Sequence, residues 1–280
     1  MVDAVDTPAA FRHPRWLTTP VIIGGSIALF WITAALTVQW WPLDDPVASV
    51  GRRLSPPDAA HWLGTDALAR DVLARTLHGA RYSLPIALAV IASAVAIGAT
   101  LGAVGGFLGG LADAAVMRLV DITLSFPAIL LAMAVTASLG PSLRNATIAM
   151  IIVWWPNYAR LMRAQVLAVK EREHVEAAVA AGAGGARVLT RHILPLCWSP
   201  VLINATMDFG QVVLLAASLS FIGLGASPPT PEWGQMISEG ARNFYQWWIA
   251  FGPGMAILSV ALGFNFLGDG LRDILDPRTQ

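Results

Sequence analysis

The fold is decided by one stretch of the sequence, residues 82–112, which reads YSLPIALAVIASAVAIGATLGAVGGFLGGLA. It contains 31 consecutive residues without a charge, and a helix that crosses the hydrocarbon core of a bilayer needs about 20 apolar residues. The whole chain fits this reading, because 56% of its 280 residues are hydrophobic and 13% are charged, against about 25% charged residues in a typical soluble domain. We therefore predict an all-α membrane protein.

Charge-free windows recur along the chain and predict the number of membrane spans. Two of these windows, 145–159 and 192–207, are short and must borrow neighbouring positions. With that allowance the sequence fits six transmembrane helices, which we place at residues 20–38, 83–104, 116–138, 146–166, 198–222 and 248–268.

The distribution of basic residues predicts which side of the membrane each segment faces. Six spans put both termini on one side, and cytoplasmic loops are enriched in Lys and Arg. The segments on the side of the termini carry 11 basic residues, against 7 on the other side. We therefore predict a cytoplasmic N-terminus (1–19) and tail (269–280), an extracytoplasmic segment (39–82), and a five-helix core (83–268).

Several function classes are made improbable by what the sequence lacks. Its 18 basic and 18 acidic residues cancel, so no net charge attracts nucleic acid. The only lysine, Lys170, lies between Val169 and Glu171, outside any phosphate-binding loop. The five histidines are scattered, and the single cysteine, Cys197, has no metal-ligand spacing. We predict no catalytic residue, no metal site and no cofactor in this chain.

Glycine recurs at every fourth position of the second predicted span, at Gly98, Gly102, Gly106 and Gly110. Such a series leaves one helix face without side chains, so that another backbone can approach closely. We predict that Gly98 and Gly102 are helix-packing positions. Gly106 and Gly110 fit a flexible turn equally well.

Asp208 is an acidic residue inside a predicted span, where ionisable side chains are rare and often functional. Two interpretations remain open, a hydrogen bond that holds two helices together and a polar lining of a translocation path. The second interpretation includes Gln211. Near the third span, Arg118 and Asp121 lie one turn apart and are predicted to form a local ion pair.

Residues 171–195 form the most charged part of the chain and lie between two predicted spans. Residues 171–181 are predicted to be a short helix with several alanines, which Gly182 ends. A second helix over residues 187–194 is predicted to end at Pro195. A short helix with small side chains suits docking in a groove of another protein, and an ordinary solvated hairpin is the alternative.

Three patterns follow one another in this segment. They are Glu176-Ala177-Ala178, then Gly182 six residues after the glutamate, then His192-Ile193-Leu194-Pro195 beginning ten residues after the glycine. At this spacing they resemble the EAA loop of ABC-importer permeases. Further motifs narrow the resemblance to the permeases of dipeptide, oligopeptide and nickel importers, although Ala69 stands where that family usually has glycine. These motifs lie at residues 61–66, 70–73, 79–81, 219–225, 228–229, 233–234 and 264–273.

The resemblance implies a type I ABC-importer permease fold in the bacterial cytoplasmic membrane, with a coupling loop at residues 167–197. A second homologous permease subunit would complete the translocation path, and an extracytoplasmic solute-binding protein would deliver a dipeptide or oligopeptide. Two cytoplasmic ATPase subunits or domains would bind ATP and Mg²⁺. The residues implied to couple the chain to these ATPases are Glu176, Ala177, Ala178, Gly182, His192, Leu194 and Pro195.

Two alternative functions remain open at this point. A nickel or other small-solute importer belongs to the same class of permease. An ion-coupled secondary transporter belongs to a different class, and it would keep ionisable residues near the membrane midplane. Only Asp208 approaches that arrangement.

Overall fold

The structure, a computed structural model, describes residues 19–275, and within them the regular elements are helices, with one isolated β-bridge between Thr65 and Asp71. The predicted N-terminal segment, apart from Thr19, and the last five residues of the predicted tail lie outside the described residues. The helices are α1 Thr19–Thr37, α2 Val72–Leu108, α3 Gly110–Leu124, α4 Ala128–Leu139, α5 Leu143–Lys170, α6 Glu173–Ala180, α7 Gly185–Arg187, α8 Leu194–Phe221, α9 Trp233–Arg242 and α10 Trp247–Leu275; short 3₁₀ and π segments cover Val38–Trp40 and Val188–Ile193.

Four helices in the described part are long and apolar enough to cross a membrane. They are α1 with its 3₁₀ turn, α2, the continuous helix Gly185–Phe221, and α10; α3 and α4 make a fifth if the bent pair counts as one span. The remaining long helix, α5, has 28 residues but a charge-free window of only 15. The all-helical membrane fold is confirmed, and the number of six spans stays a prediction.

The straight helix predicted at residues 116–138 is instead two helices. α3 ends at Leu124, α4 begins at Ala128, and the two axes are bent by 90°. Pro127 precedes α4, with φ −56° and ψ 129°. A proline has no N–H to continue the helix, and its ring disfavours helical geometry in the residue before it. The break therefore has a local cause at Pro127.

Other helix boundaries also differ from the predictions. Pro195 does not end a helix, because the chain remains helical from Gly185 to Phe221. The π segment Val188–Ile193 precedes it, and such a widened turn accommodates a proline ring within a continuous helix. α10 continues to Leu275, so the predicted cytoplasmic tail begins as helix.

α2 and α5 pack closely along the glycine series. A β-carbon at Gly98 would meet the carbonyl oxygen of Trp155, and one at Gly102 would meet that of Ala159. A β-carbon at Gly106 would lie 3.3 Å from the carbonyl oxygen of Arg163, whereas Gly110 has φ +56° and begins α3. The first three glycines thus belong to the helix contact, and the fourth belongs to a turn.

Charged pairs join α3 to α5 and correct one sequence prediction. Asp121 accepts a hydrogen bond from Arg160 at 3.0 Å, so the ion pair predicted within α3 between Arg118 and Asp121 is wrong. Asp113 pairs with both guanidinium nitrogens of Arg163 that face it. Because α3 packs against α5, Arg160 and Arg163 lie within ion-pair distance of the α3 carboxylates. Asp121 therefore takes its partner from α5 and not from Arg118 of its own helix.

α2 connects the two polar ends of the molecule. At its N-terminal end, the Trp233 indole donates a hydrogen bond to the carbonyl oxygen of Thr76 at 2.8 Å. At its C-terminal end, Lys170 Nζ donates to the carbonyl oxygen of Phe107 at 2.8 Å. A helix of 37 residues is about 55 Å long, which exceeds the roughly 30 Å of a hydrocarbon core.

Candidate functional site

The predicted coupling segment forms a short helix that is closed by a glycine. α6 is followed by Gly182 at φ +84°, the left-handed conformation that side chains disfavour. The N–H of Gly182 donates to the carbonyl oxygen of Val179 at 2.9 Å, and that of Ala183 donates to Ala178 at 3.0 Å. This pair of hydrogen bonds is the Schellman motif, so the helix ends at the predicted glycine.

One side of α6 anchors the helix and the other is open. Val175 is 3% exposed and packs in the core, while Glu176 and Ala177 are exposed. Val179 is 57% exposed. A groove of about 500 Å³ runs between α6 and the ring of Phe107. α6 therefore offers an acidic residue, small side chains and an apolar groove on one surface.

The second half of the predicted coupling pattern lies where α6 meets the start of α8. His192 is in the π segment, its carbonyl oxygen is 3.5 Å from His174 Nε2 of α6, and Leu194 and Pro195 begin α8. Ile193 is fully buried beside them. α6 therefore contacts the segment that leads directly into a long apolar helix.

Asp208 faces a polar cavity between α5 and α8 and is hydrogen-bonded across these two helices, while the lining of a translocation path stays a prediction. Its Oδ2 accepts hydrogen bonds from Trp154 Nε1 at 3.1 Å and from the Tyr158 hydroxyl at 2.8 Å. These bonds tie α5 to α8. The cavity has a volume of about 380 Å³, and Gln211 lines it together with Asp208.

A buried network of charges at the opposite end of α2 was not singled out from the sequence. Asp66 Oδ2 is 2.6 Å from Arg70 Nε and 3.4 Å from Arg75 Nε. Arg70 also donates to Glu239 of α9 at 3.0 Å, and the Arg75 side chain reaches the carbonyl oxygens of Pro46 and Pro229. The side chains of Asp66 and Arg75 are each 1% exposed. The network joins the segment before α2 to α9.

Glu232 begins α9 in the same region and satisfies the backbone there. Its carboxylate accepts hydrogen bonds from the N–H groups of Gly234 and Gln235, both at 3.0 Å, as an N-cap. Burial raises the pKa of Glu232 above its usual value, although these hydrogen bonds oppose the rise. Burial likewise raises the pKa of Glu239, helped by the charge of Asp66 and opposed by Arg70 and Arg75.

Two tryptophans complete this packed end of the molecule, which we call the cap (residues 41–71 and 222–246). Trp233 is fully buried and packs on Gly79 of α2, and Trp248 donates from its indole to the carbonyl oxygen of Thr65 at 3.1 Å. Ala69 has φ +61°, a left-handed conformation that glycine adopts more easily than alanine. This conformation explains why the family that the sequence resembles usually has glycine at this position. The motifs near residues 61–81 and 228–234 therefore pack together at the cap end of the molecule.

This architecture defines a class of protein, namely a polytopic helical membrane protein with an exposed helix–glycine element at one end. The chain matches the family described as "Binding-protein-dependent transport system inner membrane component" over residues 81–280. It belongs to that family. The family prediction made from the motifs is confirmed.

Relatives that cover most of the chain are permease proteins of peptide transport systems. The "Probable D,D-dipeptide transport system permease protein DdpC" of Escherichia coli (strain K12) is 45% identical over 268 residues, which are 95% of this chain and 88% of that protein. The "Dipeptide transport system permease protein DppC" of Alkalihalophilus pseudofirmus is 47% identical over 231 residues, or 81% and 75%. The "Di/tripeptide transport system permease protein DppC" of Pseudomonas aeruginosa is 42% identical over 268 residues, or 92% and 88%.

Proposed function

We propose that this chain is a transmembrane permease subunit of an ATP-driven importer of dipeptides or oligopeptides. The observation that carries the proposal is the exposed, glycine-closed helix α6 at one end of a chain that belongs to a transport-permease family. The names of the relatives support a peptide as substrate. They do not favour the nickel alternative or an ion-coupled transporter.

In this proposal α6 is the contact through which an ATPase moves the membrane helices. Glu176 is held at the ATPase surface, Ala177 and Ala178 allow close approach, and Gly182 sets the turn. His192, Leu194 and Pro195 lie where the motion passes into α8. ATP binding would draw the ATPases together and tilt the helices towards an outward-facing state, and hydrolysis would reset them.

The proposed assembly contains four kinds of component besides this chain. A second homologous permease subunit completes the path, two cytoplasmic ATPase subunits or domains bind ATP and Mg²⁺, a solute-binding protein delivers the peptide, and the lipid bilayer surrounds the spans. Exposed apolar side chains along α1, such as Leu29 and Leu36 at 66% and 67% exposure, suit contact with lipid. This chain itself would need no cofactor.

Reversal of the charge at Glu176 tests the coupling role. Glu176→Arg is expected to lower uptake by at least about tenfold, because a charge that pairs across an interface is replaced by a repelled one. Peptide uptake, membrane abundance and co-purification of the ATPase are measured together. Glu171→Arg makes the same charge change at an exposed position before α6 and should leave uptake within about twofold. Equal uptake by both variants would contradict the coupling role.

We also propose that α6 is cytoplasmic, that the cap is extracytoplasmic, and that both termini are cytoplasmic. The length of α2, about 55 Å, supports opposite sides of the membrane for α6 and the cap, and the excess of basic residues on the α6 side supports the cytoplasm as the side of α6. Reporter fusions near residues 60, 142 and 235 should indicate the outside, and fusions near residues 110, 180 and 276 the inside. A cytoplasmic signal at residue 60 would contradict the six-span topology and the side assigned to α6.

A further inference from the structure

Only one of the two oxygens of the Asp208 carboxylate accepts hydrogen bonds from the described residues. Both of its hydrogen-bond donors, the Trp154 indole and the Tyr158 hydroxyl, bind the same oxygen, Oδ2. Within the described residues no hydrogen bond reaches Oδ1, and no Lys, Arg or His forms an ion pair with Asp208. The two neutral donors orient the carboxylate but do not neutralise it.

The surroundings of Asp208 supply polarity without a positive charge. Asn157, Asn204 and Gln211 line the same cavity, and all three carry neutral amides. An uncompensated carboxylate among membrane-spanning helices is costly. A packing hydrogen bond between α5 and α8 would need only a neutral acceptor, such as the amide oxygen of asparagine. A carboxylate, unlike a neutral amide, can bind a cation that enters the cavity through a charge-assisted hydrogen bond.

We propose that Asp208 Oδ1 binds the terminal ammonium group of a peptide as it passes through the membrane. The proposal rests on the peptide-importer function proposed above. The ammonium group carries a positive charge and three donors, which match the free carboxylate oxygen. The amides of Asn157, Asn204 and Gln211 can exchange hydrogen bonds with the peptide groups that follow the terminus. Trp154 and Tyr158 are positioning residues that aim the carboxylate.

The charge of the cavity can be measured without any peptide. In the assembled transporter, Cys197→Ala removes the only native thiol of this chain, and Gln211→Cys places one beside Asp208; the transporter with Cys197→Ala alone supplies the background reaction of the other subunits. Cationic and anionic methanethiosulfonate reagents of similar size are then compared by their rates of reaction. The cationic reagent should react faster, and Asp208→Asn should lower the ratio of the two rates by about tenfold or more. Asp208→Glu should keep the preference.

A control thiol separates cavity charge from reagent chemistry. Ser227→Cys lies in an exposed turn of the cap, and its rate ratio should not respond to Asp208→Asn. If the rate ratio at Gln211→Cys is the same with and without Asp208→Asn, the inference is overturned. Failure of both reagents to reach the thiol would overturn it as well, because a peptide could not reach the cavity either.

Uptake provides the second test. At saturating loaded binding protein, Asp208→Asn is expected to lower peptide uptake by about ten- to a hundredfold, the loss expected for a charged hydrogen bond. Asp121→Asn makes the same change at an exposed ion pair of α3, and it should alter uptake by less than about twofold. Both variants should retain normal membrane abundance and the second permease subunit.

The possible results distinguish this inference from the function on which it rests. No ATP-driven peptide uptake by the unaltered transporter would contradict the proposed function, and the reagent ratio would still test the cation preference. Normal uptake by Asp208→Asn would overturn the inference alone. Loss of the second permease subunit from the Asp208→Asn complex would also overturn it, because the counter-charge would then belong to that subunit. A rate ratio that depends on replacing sodium by potassium would indicate a metal cation in place of the ammonium group and would overturn it too.

Discussion

Asp66→Asn is expected to destabilise the fold so strongly that little full-length protein accumulates in the membrane. Asp66 Oδ2 faces Arg70 Nε and Arg75 Nε, and Oδ1 accepts the backbone N–H groups of Leu68 and Arg70. An amide placed here must turn its NH₂ group towards donors in either orientation. Within residues 19–275 the change also leaves two buried guanidinium groups with Glu239 as their one remaining counter-charge. Loss of one partner from such a buried network costs about 3–5 kcal/mol.

The measurement is the thermal unfolding midpoint in detergent together with the amount of full-length protein in the membrane. Asp45→Asn is the matched control, because Asp45 is exposed and accepts one backbone hydrogen bond, from Val47, which an amide oxygen can also accept. We expect the control to behave as the unaltered protein. Equal midpoints for Asp66→Asn and Asp45→Asn would mean that the buried network does not hold the cap together.

Gly182→Val is expected to abolish most uptake while the membrane helices stay folded. A β-carbon at this position would meet no atom of the described residues within 4 Å, so the effect arises from the backbone, which has φ +84°. A left-handed conformation costs a side-chain-bearing residue about 1–2 kcal/mol, and more for a β-branched one. The strain opposes the hydrogen bonds that end α6 at Val179 and Ala178. We expect uptake to fall by at least about tenfold.

Gly184→Val provides an unusually close control for this substitution. Gly184 lies two residues away, also has open space where a β-carbon would be, and has φ −67°, which valine adopts without strain. Peptide uptake and ATP hydrolysis stimulated by the loaded binding protein are measured for both variants. Loss of coupling in Gly182→Val alone would place the effect in the left-handed turn. Equal loss in both would point to the bulk of valine at a docking surface, and normal uptake in both would contradict the role of this loop.

Much of the fold could be predicted because its signals are local. Runs of apolar residues show which segments can enter a bilayer, and α1, α2, α8 and α10 each overlap a predicted span. α2 nevertheless begins at Val72, within the segment predicted at residues 39–82, because hydropathy does not mark where a helix continues beyond the bilayer. The end of α6 at Gly182 was predicted for the same reason, since glycine prefers the left-handed turn wherever it occurs. The bend at Pro127 had a local signal as well, but hydropathy alone does not distinguish a straight span from a broken one.

The candidate site was predicted less completely because its parts lie far apart in the chain. Glu176 and Gly182 belong to one short motif, so the sequence pointed to α6. The sequence also marked Asp208 as unusual, but it did not show that Trp154 and Tyr158 hold one carboxylate oxygen and leave the other free. That information depends on how α5 packs against α8.

The sequence by itself determined that this is a helical membrane protein, where its apolar helices lie, and which family it resembles. These properties depend on hydropathy, backbone preference and short motifs, each of which acts over a few residues. Only the tertiary structure decided that Arg70 pairs with Glu239 across 169 positions, that Arg160 displaces Arg118 as the partner of Asp121, and that Asp208 keeps an open oxygen. The reason is that a buried charge takes its partner from whichever helix packs beside it, and distance along the chain does not specify that neighbour.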